Sequence, residues 1–313
     1  MAATRKRSLQ QQQQQEDQQV SPSGSVKRLR LGSIYDYDKL SAVGEGRDGV
    51  VFKAKHRRTG ELVAIKWIRG AADQRAFVRE VGCLAACRGH PNIVHIRDIV
   101  NDAITGDMFI VMDYHDRSLR DDLEQQQQQL SGEDTARSIM RDLVSAVNAL
   151  HAAGIMHRDI KPDNVLVSDT DGLKLCDFGS ATPVKAAGKA YEESRVGTLI
   201  YTSPEQMADS EFYGPAVDMW ALGCIMAEIL VGFPLFDDVS SDEERIQEMA
   251  DMGHRLKSTG TCKLLDELPE LSPAGREVLA GLLAFDPDER MPAADALQHR
   301  WFTDEKPVKR QRR

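Results

Sequence analysis

From residue 34 to residue 114 the apolar positions come in short runs with loose alternation. "VVFKAKH" (50–56), "ELVAIKWI" (61–68) and "MFIVMDY" (108–114) are rich in β-branched and aromatic residues. Such runs predict strands, and "RRTG" (57–60) between the first two predicts a turn. One helix interrupts them, over "DQRAFVREVGCLAAC", where Phe77, Val81, Leu84 and Ala85 approximate a stripe at helical spacing. Beyond residue 118 the period changes. "TARSIMRDLVSAVNALHAAG" (135–154) places Ile139, Leu143, Val147 and Leu150 three and four apart, as an amphipathic helix requires. The chain therefore reads as α+β, a β-rich part with one key helix followed by a larger helical part.

Two segments fall outside this pattern. Residues 1–33 combine a glutamine run, "SPSGS" and basic patches, with too few apolar residues for a core, and are expected to be disordered. A second glutamine run, 125–129, is expected to extend a helix or loop tip as a solvated spacer.

Length and charge narrow the functional classes. A chain of 313 residues can bury a full core and suits two lobes better than one. The net charge of −9 conceals basic ends, with six Lys/Arg against two acids in 1–33 and five Lys/Arg without an acid in 306–313. The body between them is twice as negative as the whole chain, which argues against direct binding of nucleic acid. Cys83, Cys87, Cys176, Cys224 and Cys262 contain no C-x-x-C pair and read as reduced thiols, with Cys83 and Cys87 explained better by packing than by a metal. The N-terminus "MAATRKRSLQQQ" lacks the apolar core of a signal peptide, and the most apolar region, 221–236, is short and interrupted by Glu228. Nucleus or cytoplasm is the expected location. "TRKR" (4–7), "KRLR" (27–30) and "KRQRR" (309–313) are basic clusters that suit nuclear import.

The chemistry begins with "VGEGRDGVVFKAKH" (43–56), whose Gly44, Gly46 and Gly49 are spaced G-x-G-x-x-G. Alone the pattern is weak. In a dinucleotide-binding fold the third glycine would open a helix; here it leads into a strand, and Lys66 follows within "VAIK". "HRDIKPDN" (157–164) and "LKLCDFG" (173–179) come after the long helix. Loop, lysine, HRD-x-K-x-x-N and DFG in this order resemble the eukaryotic protein kinases over about residues 34–303, and "SPE" (203–205), "DMWALG" (218–223) and "DPDER" (286–290) extend the match.

That resemblance implies a bilobal kinase fold, with an N-lobe at 34–114, a C-lobe at 115–303 and tails at 1–33 and 304–313. It also implies ATP and Mg²⁺ as cofactors and protein substrates with Ser or Thr acceptors. The lid Val43, Gly44, Glu45, Gly46, Arg47, Asp48 and Gly49 would cover the phosphates, with Val51 and Ala64 above the adenine and Leu166 below it. Met112, Asp113 and His115 would form the hinge. Lys66, paired with Glu80, would hold the α- and β-phosphates. Asp159 would orient and deprotonate the acceptor hydroxyl, Lys161 would neutralise the γ-phosphate, and Asn164 and Asp177 would ligate Mg²⁺. His157, Phe178, Leu84 and Ile96 would form a column tying the lobes together. Asp218 would anchor the catalytic loop, and Glu205 would pair with Arg290.

Within the kinases, "DYDKLSAVGEGRDGVVFKAKHRRTGELVAIK", "HPNIV" and "AVDMWALGCIMAEILVGFPLF" are similar to the cyclin-dependent kinases, nearest the plant cyclin-dependent kinase F group. A role in cell-cycle or transcription control follows from that likeness. Several departures change the picture. "QRAFVRE" (74–80) stands where that family reads PSTAIRE, so the likeness carries the enzyme without carrying a cyclin partner. Arg47-Asp48 replaces the Thr-Tyr pair on which inhibitory kinases act, and Thr202 replaces an arginine that shapes a proline-accepting pocket. Glu193 occupies the place of the activating phosphothreonine. It is expected to face Arg79 and Arg158, with Thr182 where a third arginine belongs; the competing reading makes Ser194 the phosphosite. The expected enzyme is a monomeric Ser/Thr kinase active without cyclin or loop phosphorylation. Its rival is a pseudokinase scaffold that binds nucleotide and partners without transfer, against which stand the intact Lys66, Glu80, Asp159, Asn164 and Asp177.

Overall fold

The structure is a computed structural model and describes residues 31–304, apart from 47–48, 69–73 and 169–171. Most of the N-terminal tail, the end of the C-terminal tail and Arg47-Asp48 of the lid lie outside the described residues.

The first part is a six-stranded sheet in the order β1-β5-β6-β4-β3-β2, built from β1 (Gly32–Ser33), β2 (Tyr37–Gly46), β3 (Gly49–His56), β4 (Leu62–Ile68), β5 (Ile96–Asn101) and β6 (Met108–Asp113). All pairings are antiparallel except β1 with β5. Side chains alternate across a sheet, so one face buries Ala54, Val63, Ile65, Phe109 and Val111 together. The other presents Ala64, Lys66, Ile110 and Met112 to the rest of the molecule. Register sets Val51 opposite Lys66 and Lys66 opposite Ile110, which fixes where the lysine emerges. The folded part starts earlier than expected. Gly32–Ser33 pair through their backbone with Val100–Asn101, a contact that needs no apolar side chain and so leaves no trace in composition.

The predicted helix is α1 (Gln74–Ala86). Its buried stripe runs through Glu80, Cys83 and Leu84 and is continued by Cys87 just past its end, while Ala85, expected on that stripe, is exposed. Small apolar side chains suit either face of a helix, so hydropathy alone misplaced it. All five cysteines are free. Burial pushes the Cys83 thiol up to about 11, so it stays protonated and apolar in behaviour.

After β7 (Arg117–Ser118) the chain is mainly helical: α2 (Leu119–Leu130), α3 (Glu133–Ala152), α4 (Pro204–Met207), α5 (Ala216–Val231), α6 (Asp242–Thr259), α7 (Lys263–Asp266), α8 (Pro273–Leu282), α9 (Ala293–Gln298) and α10 (Arg300–Thr303). The second glutamine run does extend α2, with a non-helical backbone at Gln126. Residues 217–230 of α5 are all buried, as expected of a helix that is apolar all round. Of its two acids, Asp218 near the start and Glu228 near the end, Glu228 takes hydrogen bonds from Arg120 (2.5 Å) and Tyr201 (2.6 Å), which lets a carboxylate sit in the core. No helix among the described residues is long and apolar enough to cross a membrane.

Three short strands, β8 (Ile155–Met156), β9 (Val165–Ser168) and β10 (Gly172–Leu175), bracket the HRD and DFG segments, and β11 (Thr182–Pro183) pairs with β8. The backbone of Leu175 exchanges hydrogen bonds with Asn92 and Val94, tying this region to the loop after α1. The expected Glu205–Arg290 pair is present as a fork, at 2.8 and 3.0 Å, and the same guanidinium reaches the carbonyls of Ala216, Ala284 and Phe285. It thereby ties the start of α5 to the loop after α8.

Candidate active site

A cavity of about 910 Å³ opens where the sheet meets the helical part. Val43, Gly44, Glu45, Gly49, Val51, Ala64, Met112 and His115 line it from the sheet side, and Leu166 and Cys176 lie on the other. The expected adenine sandwich of Val51, Ala64 and Leu166 is thus brought together. Cys176, which precedes DFG, was not anticipated; burial pushes its thiol well above the usual range. At the hinge, the Asp113 N–H is committed to the His95 carbonyl at 3.1 Å. Gly49 has a reason of its own to be glycine: at φ 149, a Cβ would sit 2.0 Å from the Trp67 carbonyl oxygen. Close approach of β4, as much as any phosphate, requires it.

Deeper in the cavity the charged groups are paired. Lys66 Nζ lies 2.7 Å from Glu80 Oε1 and 2.7 Å from Asp177 Oδ1. Burial opposes the lysine's charge, and the two carboxylates more than offset that, so its pKa stands above the ordinary value. Burial likewise opposes ionisation of Asp177, and Lys66 outweighs it, holding the carboxyl below the usual range. Asp177 has a left-handed backbone, φ 59, and Phe178 behind it stacks edge-on to His157 with ring centres 4.9 Å apart. The His157 ring reaches the Cys176 carbonyl at 3.0 Å, and Phe178 and Leu84 belong to the large apolar core, against which Ile96 packs.

Asp159 is braced from three sides. Thr198 donates its hydroxyl to Oδ1 at 2.8 Å, Asn164 Nδ2 donates to Oδ2 at 3.1 Å and to the Asp159 carbonyl at 2.8 Å, and Lys161 lies 3.4 Å from Oδ2. Lys161 also donates to Thr198 Oγ1 at 2.8 Å. A carboxylate held this way can accept a hydrogen bond from an incoming hydroxyl and receive its proton. Thr198 is a site residue that sequence reasoning missed. It lies 39 positions from Asp159, and a single threonine in a polar segment carries no local signal.

The catalytic loop is anchored from beneath by Asp218, on α5. Its carboxylate accepts the backbone N–H groups of His157 (2.9 Å) and Arg158 (2.8 Å) and a bond from His151 Nε2 (2.9 Å). This allows Arg158 its left-handed backbone, φ 66. Gly197, at φ 101, packs directly over the Arg158 carbonyl, where a Cβ would approach to 2.3 Å.

The regulatory residues meet only in part. Arg158 reaches Glu193 at 3.4 Å and also holds the Ser180 carbonyl and the Tyr213 hydroxyl, each at 2.8 Å; the Tyr213 hydroxyl in turn donates to the Glu193 carbonyl at 2.7 Å. Arg79 instead donates to the Gly179 carbonyl at 3.0 Å. Glu193 therefore faces one guanidinium rather than the expected two, because the backbone after DFG engages the other. Ser194 Oγ is 3.4 Å from Asp209.

Asn164 and Asp177 supply an amide and a carboxylate oxygen, a donor set that fits Mg²⁺, which takes one or two protein ligands and fills its shell with water and phosphate oxygens. The Asn164 NH₂ end is spent on Asp159, which turns its oxygen the other way. Among the described residues no group of three or more His, Cys, Asp or Glu is placed to hold a metal.

Asp218 gives a testable consequence. Burial would raise its pKa, but the His151 hydrogen bond, the nearby histidines and the Arg158 N–H outweigh burial and hold it below the ordinary value. A depressed folded pKa means stability that is present above the unfolded pKa and lost as pH falls through the folded one. Asp218→Asn is expected to cost roughly 1.5–3 kcal/mol at neutral pH by losing charged hydrogen bonds. In urea unfolding, that deficit should shrink as pH is lowered below about 4, the ordinary carboxyl value; a deficit independent of pH would rule out the ionised carboxylate as the anchor.

Comparison with known proteins agrees with this geometry. Residues 37–302 match the family model described as the protein kinase domain. A rice protein (Oryza sativa subsp. japonica) with the designation cyclin-dependent kinase F-2 is 41% identical over 86% of this chain and 90% of its own length. Cyclin-dependent kinase G-1 of Oryza sativa subsp. indica is 32% identical over 91% of this chain, which spans 45% of that protein. Mitogen-activated protein kinase 15 of Mus musculus is 36% identical over 82% of this chain and 52% of its own length. The chain belongs to the protein kinase family and is a Ser/Thr protein kinase of the cyclin-dependent-kinase-like kind.

Proposed function

We propose that the cavity binds Mg²⁺-ATP and that this chain, by itself, transfers the γ-phosphoryl group to Ser and Thr hydroxyls. The observation that carries the reading is the closed set of contacts Glu80–Lys66–Asp177 beside the braced Asp159. Protein kinases generally use ATP with Mg²⁺. Phosphoryl transfer asks a protein for positioning and charge neutralisation more than for covalent chemistry. Lys66, oriented by Glu80, is suited to the α- and β-phosphates, and Lys161 to the γ-phosphate. Asp159 accepts a hydrogen bond from the acceptor hydroxyl and takes its proton as the oxygen bonds to the γ-phosphorus and the bond from that phosphorus to the β–γ bridging oxygen breaks, releasing ADP, with Thr198 holding the carboxylate in aim. Asn164 and Asp177 would hold Mg²⁺, which supplies neutralisation of the phosphate charge. Asp159→Asn keeps the shape of the site and removes the base. It is expected to lower turnover on a peptide substrate about 10²–10⁴-fold while nucleotide binding persists; unchanged turnover would remove Asp159 from this role. Nucleotide binding by wild type without transfer to any substrate would favour the scaffold reading.

The second part of the proposal is that neither cyclin nor phosphorylation of residues 180–205 is needed. In support, α1 already delivers Glu80 to Lys66, and Glu193 already sets a negative charge against Arg158. The 3.4 Å contact is single and Glu193 is half exposed, so its share is modest. The chain would be purified from a host without eukaryotic kinases and shown by mass spectrometry to be unphosphorylated. It is then expected to be active, with Glu193→Gln several-fold weaker; a wild type that awakens only on Ser194 phosphorylation overturns the proposal.

Substrate choice should also be less tied to proline than in proline-directed relatives. Thr202 is buried and turns its hydroxyl to the Thr198 carbonyl at 3.2 Å, presenting no guanidinium to shape a pocket. A peptide library is expected to tolerate residues other than proline after the acceptor; an absolute demand for proline would contradict this.

A further inference from the structure

One cationic side chain outside the cavity makes more directed contacts than any regulatory arginine described above. Arg195 lies three residues before Thr198, in the segment between DFG and α4. Its Nε and Nη2 form a fork on the two carboxylate oxygens of Asp209, at 2.7 and 3.1 Å. Nη2 also donates to the Met207 carbonyl at 3.0 Å, and Nη1 to Asp242 Oδ2 at 2.6 Å. Two separate pieces of chain meet on one guanidinium, the end of α4 and the start of α6. Met207 closes α4, Asp209 follows it in a left-handed backbone, φ 55, and Asp242 opens α6.

We infer that Arg195 is a positioning residue for phosphoryl transfer, holding Thr198, and through it Asp159 and Lys161, in register. The mechanical path is short. Val196, next in the chain, is buried; Gly197 rests on the Arg158 carbonyl; and Thr198 then bridges Asp159 and Lys161, each at 2.8 Å. So short a tether passes slack at Arg195 directly to the Thr198 hydroxyl, and a misplacement of about 1 Å in a reacting geometry costs on the order of 10²-fold in rate.

Exposure decides how strong the anchor is. Arg195 is 41% exposed, Asp209 63% and Asp242 38%, so any one of these pairs alone would contribute little. The planar fork changes that, since a bidentate guanidinium–carboxylate pair adds directionality as well as attraction, and the Met207 carbonyl and Asp242 fix the remaining face. Lysine carries the charge but not the fork. By comparison the Glu193 carboxylate makes a single 3.4 Å contact. The inference rests on the kinase activity alone and holds whether or not Glu193 substitutes for a phosphate.

The test uses the full chain, unphosphorylated if that form is active and loop-phosphorylated if it is not, with a Ser/Thr peptide and Mg²⁺-ATP. Inactivity of the unphosphorylated wild type would count against the Glu193 reading and leave this measurement intact. Arg195→Ala is expected to lower kcat by at least about tenfold with the KM for ATP changed less than about twofold, because the nucleotide contacts are elsewhere. Hydrogen exchange should rise in residues 193–200 while the thermal midpoint and the exchange of α5 stay close to wild type. Arg195→Lys should recover less than half of the lost kcat, and Asp242→Asn should fall between wild type and Arg195→Ala. A kcat for Arg195→Ala within about twofold of wild type, full rescue by lysine, or a loss explained by a matching fall in folded protein would each overturn the inference.

Discussion

A carboxylate buried in the middle of the helical part carries much of this architecture. Asp218 sits on α5, the helix that is apolar on every side, and spends its lone pairs on two consecutive backbone N–H groups and one imidazole. An ion in that setting is tolerable only when fully bonded, so the chain from His157 to Arg158 has one permitted course over α5. The left-handed turn at Arg158 follows from it. So does the placement of Asp159, which begins where Asp218's hold ends.

From this fixed point the site grows by pairing charges across sequence-distant elements. Lys66 comes from a central strand, Glu80 from α1, and Asp177 from the turn after β10, and the lysine meets each carboxylate at 2.7 Å. Arg158 and Arg195 do the same for the segment between DFG and α4, one tying its start to Tyr213 and Glu193, the other its end to α4 and α6. The molecule's excess of acid is therefore not spread evenly in effect. Around the cavity Glu80 and Asp177 share Lys66, and Asp159 lies beside Lys161, which holds these carboxylates in place for a reaction whose main difficulty is crowded negative charge.

The two aromatic pairs near the loop serve position rather than chemistry. His157 and Phe178 hold HRD and DFG edge to face, and Tyr191 stacks on Tyr213 with ring centres 4.5 Å apart, fixing the hydroxyl that braces Arg158 and the Glu193 carbonyl. Segments with little apolar area of their own are thereby ordered by contact with the helical core.

What could be read from sequence was whatever repeats at short range or keeps a characteristic spacing. Period-two runs gave the strands, three-and-four spacing gave α1 and α3, and G-x-G-x-x-G, VAIK, HRD-x-K-x-x-N and DFG marked the cavity, because each encodes a local backbone shape or a fixed set of donors. Ala85 was misassigned to the buried stripe since alanine has almost no preference between faces, and Gly32–Ser33 were missed since backbone pairing leaves no hydrophobic mark. The roles of Thr198 and Arg195, and the diversion of Arg79 from Glu193 to the Gly179 carbonyl, belonged to the tertiary structure alone. Their roles depend on which distant carboxylate or carbonyl lies within about 3 Å, the range of a hydrogen bond. No local pattern of side chains records that distance.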